Sequence, residues 1–134
     1  MKQVVFRNKH YEIGLDPDKN RAYITIIGFW RDPAEVGPYV QDLDGALVRL
    51  KPGFTLLTDL TQMKTHPASV QPLHLAAQQL LLERGLSQTA EVCASSMVEY
   101  QANAISKKSN MPLRQFTDQA AAEAFLDSVP PARG

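Results

Sequence analysis

The chain is poor in the features that mark secreted and membrane proteins. Its 134 residues include a single cysteine, Cys93, so no disulfide can form within the chain. This suits a reducing compartment and excludes a disulfide-stapled secreted scaffold. The first residues lack the apolar core of a signal peptide, and no apolar run approaches the roughly 20 residues that span a bilayer. We therefore expect a cytoplasmic protein without a transmembrane segment.

The chain also has no net charge. Fourteen basic and fourteen acidic side chains cancel, and the isoelectric point is about 6.8. Nucleic-acid binders usually carry a basic surplus, because much of their affinity comes from neutralising phosphates. The composition therefore predicts that nucleic acid is not a partner. Near-zero charge gives little repulsion between copies, so the sequence is compatible with a homodimer.

Motifs of catalysis and cofactor binding are absent too. The sequence contains neither the G-x-S-x-G elbow of hydrolases nor the glycine-rich loops G-x-x-x-x-G-K-[ST] and G-x-G-x-x-G. Cys93 lies between Val92 and Ala94 in a strand-like segment, which favours a packed thiol over a nucleophile. The sequence therefore predicts a protein that is not an enzyme and needs no cofactor.

Two histidines raise one metal hypothesis. His66 and His74 could join Asp59 around a cation. Their spacing of eight residues matches no common pair of ligands, and we expect His74 to be exposed beside Pro72 on a helix. A metal site is therefore not predicted.

Hydrophobic periodicity divides the chain into alternating strands and helices. Strand-like patterns cover residues 4–7, 11–15, 22–30, 54–60, 89–94 and 113–116. Apolar residues at helical spacing run from about 36 to 50, from 67 or 69 to 84, from 96 to 108 and from 117 or 118 to 126. Alternating strands and helices imply parallel strand pairing, with the helices packed on the sheet.

The element order predicts an α/β fold. We expect a mixed central sheet of four to five strands, in which an antiparallel amino-terminal meander precedes parallel βα units, covered by about four helices. The three most apolar strands, at 22–30, 54–60 and 89–94, should be neighbours. A single domain is predicted over residues 1–128, with a frayed carboxy-terminal tail at 129–134.

Polar side chains follow two of the predicted strands. They are Asp59, Thr61, Thr65 and Ser69 after the first strand, and Ser95 and Ser96 after the second. Ligands and partners of open α/β sheets bind near the carboxyl ends of strands, where helix N-termini offer free N–H groups. We therefore expect these six residues to form any ligand or partner surface.

The same residues have a purely structural interpretation. Turn formation and helix capping need short polar side chains at these positions. Ser96 and Glu99 have the spacing of a capping box, and Ser69 or Pro67 opens the helix that follows the first polar loop. Both interpretations stay open at the level of sequence.

The order of elements, with Thr58-Asp59-Leu60-Thr61 closing the strand after the first long helix, resembles the STAS domain. It is particularly similar to the SpoIIAA-like group, relatives of the anti-sigma-factor antagonist. A strand ending in Arg114-Gln115-Phe116, then Thr117-Asp118 and an alanine-rich helix at 120–126, extends the similarity over nearly the whole chain. The resemblance implies a non-enzymatic regulatory or protein-interaction module with a protein partner.

The resemblance also implies two finer expectations. In the antagonists, a serine in a D-S-S-G segment is phosphorylated by a partner kinase. The matching stretch here is Pro67-Ala68-Ser69-Val70, so Ser69 is the only hydroxyl retained and the candidate for phosphorylation. The fold also resembles the lipid-binding part of SEC14 proteins, which implies a carrier of an apolar small molecule as an alternative. An enzyme that pairs Asp59 with Ser95 or Ser96 is a third alternative.

Overall fold

The computed structural model describes residues 1–130, in which six strands form one mixed sheet. The strands are β1 (Gln3–Arg7), β2 (Tyr11–Asp16), β3 (Arg21–Ile26), β4 (Thr55–Asp59), β5 (Gln88–Val92) and β6 (Arg114–Phe116). They lie side by side in chain order. The first three are antiparallel and the others are parallel. The predicted mixed sheet and the adjacency of its three apolar strands are confirmed.

The number of strands is larger than the four to five expected. Both short edge strands, β1 and β6, belong to the sheet, which brings the total to six. β1 pairs with β2 through an irregular register near Val5, and β6 contributes three residues beside β5.

Four α-helices cover the sheet, with three on one face and one on the other. They are α1 (Tyr39–Leu47), α2 (Gln71–Glu83), α3 (Ser96–Ser109) and α4 (Gln119–Asp127). The helices α1 to α3 connect the parallel strands by crossovers of one hand, so they share a face. The helix α4 follows β6 and packs on β4 and β5 from the opposite side.

Side-chain alternation along the strands produces two cores. The larger lies under α1 to α3 and contains residues such as Tyr11, Ile13 and Ile24. The smaller lies under α4 and is built from Tyr23, Leu57, Ala90, Val92, Ala122 and Leu126. Cys93 is buried, as predicted, and burial raises the pKa of its thiol to about 12.

Two elements are shorter than the sequence predicts. β3 ends at Ile26 and not at Trp30, because the chain turns at Gly28, whose φ is +71°. α1 begins at Tyr39, since Gly37 has a φ of +59° and separates it from a short 3₁₀ turn at Pro33–Val36. Trp30 therefore leaves the sheet and becomes fully buried beneath the helices.

The carboxy-terminal end of the fold is α4. Residues 131–134 of the predicted tail lie outside the described residues. Within residues 1–130, no helix has the length and apolarity needed to cross a membrane.

Candidate functional site

The loop that follows β4 is held firmly between β3 and α3. The N–H of Gly28 donates to the Gln62 carbonyl at 2.8 Å, and the Lys64 N–H donates to the Gly28 carbonyl at 3.1 Å. The side chain of Gln101 in α3 accepts from the His66 N–H and donates to the His66 carbonyl. These bonds give residues 60–67 a defined shape, so their side chains lie at fixed positions beside α3.

Asp59 and Thr61 form a local turn at the end of β4. One carboxylate oxygen of Asp59 accepts from the Thr61 N–H at 2.9 Å and from its hydroxyl at 2.6 Å. This is the backbone-directed bonding that favours aspartate in turns. The pair therefore shapes the start of the loop.

Ser95 caps α3. Its Oγ accepts from the N–H groups of Met97 and Val98, at 3.2 and 3.4 Å. The predicted capping box with Ser96 as the cap is therefore wrong by one residue. Ser95 is in the extended conformation that a cap requires, and Ser96 is already helical and exposed.

Ser69 does not cap a helix. It lies in the middle of a 3₁₀ turn, Ala68–Val70, whose N-cap position is occupied by Pro67. The helix α2 follows directly, and no side chain caps it. Ser69 is exposed, and its hydroxyl has no hydrogen-bond partner within residues 1–130.

Two of the predicted site residues meet at a surface groove of about 380 Å³. The groove separates the connection between β4 and α2 from the first three turns of α3. Its lining residues are Thr65, Gln71, Ser96, Met97, Tyr100, Gln101 and Ala104. Within the described chain, none of the lining side chains carries a charge. The other four predicted residues, Asp59, Thr61, Ser69 and Ser95, do not line it.

The groove is bordered by two large apolar side chains in the first two turns of α3. Met97 is 69% exposed and Tyr100 is 79% exposed. Phe29 is also half exposed, and its ring lies against that of His66. The sequence analysis did not select Met97 or Tyr100. Their spacing of three residues places both on one face of a helix, and this pattern could have indicated an exposed apolar surface.

The loop also contributes buried His66 to a pair with half-buried His74 of α2, which local sequence does not reveal. His66 Nδ1 and His74 Nε2 are 2.9 Å apart, and the indole ring of Trp30 stacks on both imidazoles. The expectation that His74 is exposed is therefore wrong. Trp30 packs against the side of α2 that carries His74, so the imidazole is half-buried against the indole ring.

The hydrogen bonds determine the tautomers of this pair. The Gly28 carbonyl can only accept, so His66 Nε2, 3.1 Å away, carries a proton. In the neutral ring Nδ1 is then the acceptor for the proton on His74 Nε2. Burial lowers the pKa of His74 to about 3, with a further contribution from His66. Burial also lowers the pKa of His66, although its bond to Gly28 opposes this.

The metal hypothesis joined these histidines to Asp59. Within residues 1–130, no three histidine, cysteine, aspartate or glutamate side chains converge on a common point. The carboxylate of Asp59 is instead engaged by Thr61. The two histidines are instead hydrogen-bonded to each other and stacked against Trp30.

A second buried polar group lies deeper, at an internal cavity between the sheet and α1 to α3. The cavity measures about 50 Å³ and is walled mainly by aliphatic side chains. Glu91 of β5 lines it and accepts one hydrogen bond, from Gln115 Nε2 at 3.3 Å. Burial raises the pKa of Glu91 to about 7, against the opposing effect of Gln115.

Solved structures share the fold of this chain at low sequence identity. A protein of the DUF3478 family with a SpoIIAA-like fold, from Shewanella loihica, matches with a TM-score of 0.64 and 14% identity over 91% of this chain and 98% of that one. SiaC of Pseudomonas aeruginosa matches with a TM-score of 0.55 and 12% identity over 87% and 99% of the two chains. An anti-sigma factor antagonist from Mycobacterium paratuberculosis matches with a TM-score of 0.54 and 13% identity over 96% of each chain.

These likenesses establish the fold. No protein-family model matches the chain, and no curated protein matches it in sequence. At such low identity, residue roles do not transfer from one chain to another. The chain has a SpoIIAA-like fold, as the order of its elements predicted.

Proposed function

We propose that this SpoIIAA-like chain is a regulatory protein-interaction module, and that its partner binds at the groove beside α3. The observation that carries the proposal is the exposure of Met97 and Tyr100 next to an uncharged groove. The fold is shared with an anti-sigma factor antagonist, which supports a regulatory role of this kind.

The groove has the chemistry of a protein interface. Tyrosine and methionine are enriched at the cores of protein interfaces, and tyrosine is frequent among the residues that dominate binding energy. The hydroxyls of Thr65 and Ser96 and the amide of Gln71 provide donors and acceptors along the walls. The one charged group that bonds a lining side chain within residues 1–130 is Lys108, whose ammonium donates to Gln71 Oε1 at 3.2 Å. Because the lining side chains are themselves uncharged, an uncharged partner segment with an apolar anchor is the matching occupant.

The proposal assigns supporting roles to the remaining predicted residues. Asp59 and Thr61 shape the loop, and Ser95 fixes the first turn of α3. Asp59 bonds Thr61, with no hydrogen bond to Ser95 or Ser96 in residues 1–130. The alternative of an enzyme built on that pairing therefore gains no support.

Ser69 is the proposed point of regulation. Its free hydroxyl lies two residues before Gln71, which lines the groove. A phosphate would add a charge of about −1.5 to −2 beside a groove whose lining side chains are uncharged. We expect this charge to weaken binding of an apolar partner segment.

The carrier alternative is less well supported. Ligand pockets usually measure roughly 300–1,000 Å³, whereas the internal cavity measures about 50 Å³. The groove of about 380 Å³ beside α3 is large enough, but it is open to solvent and would not enclose an apolar ligand. An acyl chain would not fit without separating the helices from the sheet. No observation on this chain favours such a movement, so the interaction function is retained.

A site-specific crosslink tests the proposal. A photo-crosslinking amino acid replaces Tyr100 in one variant and Val48 in a control. Val48 is 59% exposed at the end of α1 that leads into β4, away from the groove. A partner captured through position 100 and not through position 48 supports the proposal. Equal capture from both positions contradicts the placement of the surface.

The captured partner then permits a quantitative test. Its affinity for purified wild type should fall at least about tenfold with Tyr100→Ala, in keeping with an interface residue that dominates binding. Ser69→Asp should weaken binding, and Ser69→Ala should leave it unchanged. Unchanged affinity in both Ser69 variants would remove Ser69 from the regulatory role.

A further inference from the structure

The cavity beneath α2 and α3 contains a carboxyl group without a cation. Glu91 is buried on β5, and its neighbour in the register of β4 is Thr58, which lines the same cavity. The polar residues that line it are Thr58 of β4, Glu91 of β5, Tyr39 of α1, and His74 and Gln78 of α2. The lining residues from α3, Ala102 and Ile105, are apolar. Within residues 1–130, no lysine or arginine lines the cavity.

One side chain connects this carboxyl group to the surface of α3. The amide Nε2 of Gln115 in β6 donates to Glu91 Oε1 at 3.3 Å and to the carbonyl oxygen of Glu99 at 3.4 Å. Glu99 lies in the first turn of α3, between the exposed Met97 and Tyr100. Each of the two N–H groups of the amide therefore serves one acceptor, and both bonds are near the long limit for a hydrogen bond, so a shift of the nitrogen toward one acceptor weakens the other bond.

Among the groups around the cavity, Glu91 alone changes charge near neutral pH. Its burial raises its pKa to about 7. Burial lowers the pKa of His74 to about 3 and raises that of Tyr39. Burial likewise raises the pKa of the neighbouring thiol of Cys93 to about 12, with a contribution from Glu91.

We propose that Glu91 and Gln115 form a proton-controlled latch between the internal cavity and the first turn of α3. With Glu91 protonated, Gln115 divides its amide between the carboxyl group and the Glu99 carbonyl. Loss of the proton creates a carboxylate, and hydrogen bonds to an ionised group are roughly twice as strong as neutral ones. The amide then moves toward Glu91 and releases the carbonyl of Glu99.

The cavity can accommodate this change. A water molecule needs roughly 10–15 Å³ of such space, so about 50 Å³ admits water to solvate the carboxylate. Release of the Glu99 carbonyl acts on the start of α3, where Met97 and Tyr100 are exposed. As a mode of regulation, the latch rests on the proposed function of the α3 surface. The latch itself is a property of the isolated chain and can be tested without a partner.

Methionine methyl NMR provides that test. The chain has four methionines, which together report on three places. Met63 and Met111 line the cavity, Met97 lies on the α3 surface, and Met1 is at the exposed amino terminus. Protein labelled with ¹³C in the methionine methyl groups is titrated from about pH 5.5 to 8.5. The latch predicts one shared transition near pH 7 for Met63, Met111 and Met97.

Two variants separate the parts of the latch. Glu91→Gln keeps the acceptor for Gln115 and cannot ionise, so the shared transition should disappear. Gln115→Leu leaves Glu91 in place, so Met63 and Met111 should still titrate while Met97 should not. Circular dichroism and thermal melts verify that both variants are folded.

The outcomes distinguish the latch from the proposed function. A constant Met97 signal in the wild type, while Met63 and Met111 titrate, overturns the coupling to α3. Persistence of the transition in Glu91→Gln overturns Glu91 as the titrating group, and so does its absence in the wild type. None of these results depends on partner binding, which the crosslinking experiment measures separately.

Discussion

The two faces of the sheet bury their polar groups by opposite means. On the α4 face, Arg21 is only 3% exposed, and its guanidinium donates to Glu123 at 2.8 Å and to Asp127 at 2.9 Å. Lys19 donates to the same two carboxylates. On the opposite face, Glu91 and the pair of His66 and His74 are buried without an oppositely charged partner. Ion pairs keep the side chains of the α4 face charged, whereas shifts in pKa favour the neutral forms of the side chains on the opposite face.

The pKa values of the carboxyl groups follow this division. Burial alone would raise the pKa of Glu123, but hydrogen bonds from Tyr23 and Lys19 and the charge of Arg21 lower it. Burial raises the pKa of Glu91 to about 7, because Gln115 is its only opposing contact. The ion pairs of the α4 face therefore stabilise the fold most above the carboxyl pKa values. The contribution of Glu91 is greatest below about pH 4.5 and is lost as pH rises through 7.

The largest expected effect comes from breaking the paired face at its centre. Arg21→Met removes the bonds to Glu123, Asp127 and the Thr55 hydroxyl. Loss of one partner from a buried ion pair typically costs about 3–5 kcal/mol, and we expect the lower end because both carboxylates reach solvent. Urea unfolding at pH 7 measures the difference.

The matched control for Arg21→Met is Lys19→Met. Lys19 contacts the same two carboxylates from an exposed position, so its loss should cost less than about 1 kcal/mol. Equal losses in the two variants would mean that burial of Arg21 contributes nothing to the network.

The next effect tests the unpaired face through its pH dependence. The folded-state pKa of Glu91 is raised from 4.5 to about 7. The folded state therefore holds the proton more tightly, and the contribution of Glu91 to stability falls as pH rises from about 4.5 through 7. Since His74, with its pKa lowered to about 3, has the opposite effect over part of this range, the contribution of Glu91 is obtained from the difference between the wild type and a variant. At 1.36 kcal/mol per pH unit, this loss amounts to about 3 kcal/mol. Glu91→Gln should be more stable than the wild type by up to this amount at pH 8.

Urea unfolding between about pH 4 and pH 8 measures this difference. The two proteins should converge at the acid end, where Glu91 is protonated in both states. Glu99→Gln serves as a control, because it removes an exposed carboxylate of the same length. Parallel stability curves for the wild type and Glu91→Gln would show that Glu91 is not held neutral.

The contrast between the faces also shows how far the sequence could be interpreted. Strand alternation and helix periodicity predict the mixed sheet, the adjacency of its three apolar strands and the burial of Cys93, because these depend on local pattern. Glu91 points to the same side of an apolar strand as Thr89 and Cys93, so its burial could have been predicted from the sequence. Its shared contact with Gln115 was not, since that contact depends on the pairing of β5 with β6.

The candidate site was less accessible to prediction than the fold. The local turn of Asp59 and Thr61 follows from the chemistry of aspartate in turns. The burial of His74 depends on Trp30, 44 residues away in sequence, and the predicted end of β3 placed Trp30 in the wrong element. The groove depends on Gln101, which fixes the backbone of His66 beside α3. Long-range contacts of this kind leave no periodic signal.

Removal of one tyrosine hydroxyl from each face allows the two faces to be compared. Tyr23 donates to Glu123 at 2.5 Å on the α4 face, and Tyr11 donates to Asp42 at 2.6 Å on the other. Hydrogen bonds to charged groups contribute about 1.5–3 kcal/mol. Tyr23→Phe should cost about 1 kcal/mol, because Arg21 continues to pair with Glu123.

Tyr11→Phe should cost about 2 kcal/mol, since Asp42 has no second side-chain donor within residues 1–130. Thermal and urea unfolding of the two variants give the comparison directly. A larger loss for Tyr23→Phe than for Tyr11→Phe would contradict the view that the ion network compensates for the loss of one bond.

The smallest expected effect tests the acid side of the paired face. Hydrogen bonds from Lys19 and Arg21 lower the pKa of Asp127 below its usual 3.8. The stabilisation is therefore present above pH 3.8 and is lost as pH falls through the lowered pKa. The side chain of Asp127 is 48% exposed, so solvent screens the interaction, and Asp127→Asn should cost less than about 1 kcal/mol at pH 7. The wild type and the variant should converge near pH 2. At 1 M salt the gap at pH 7 should shrink, because the screening length falls to about 3 Å. A gap that widens toward acid would give Asp127 the pH response assigned to Glu91, and the two faces would then no longer differ in sign.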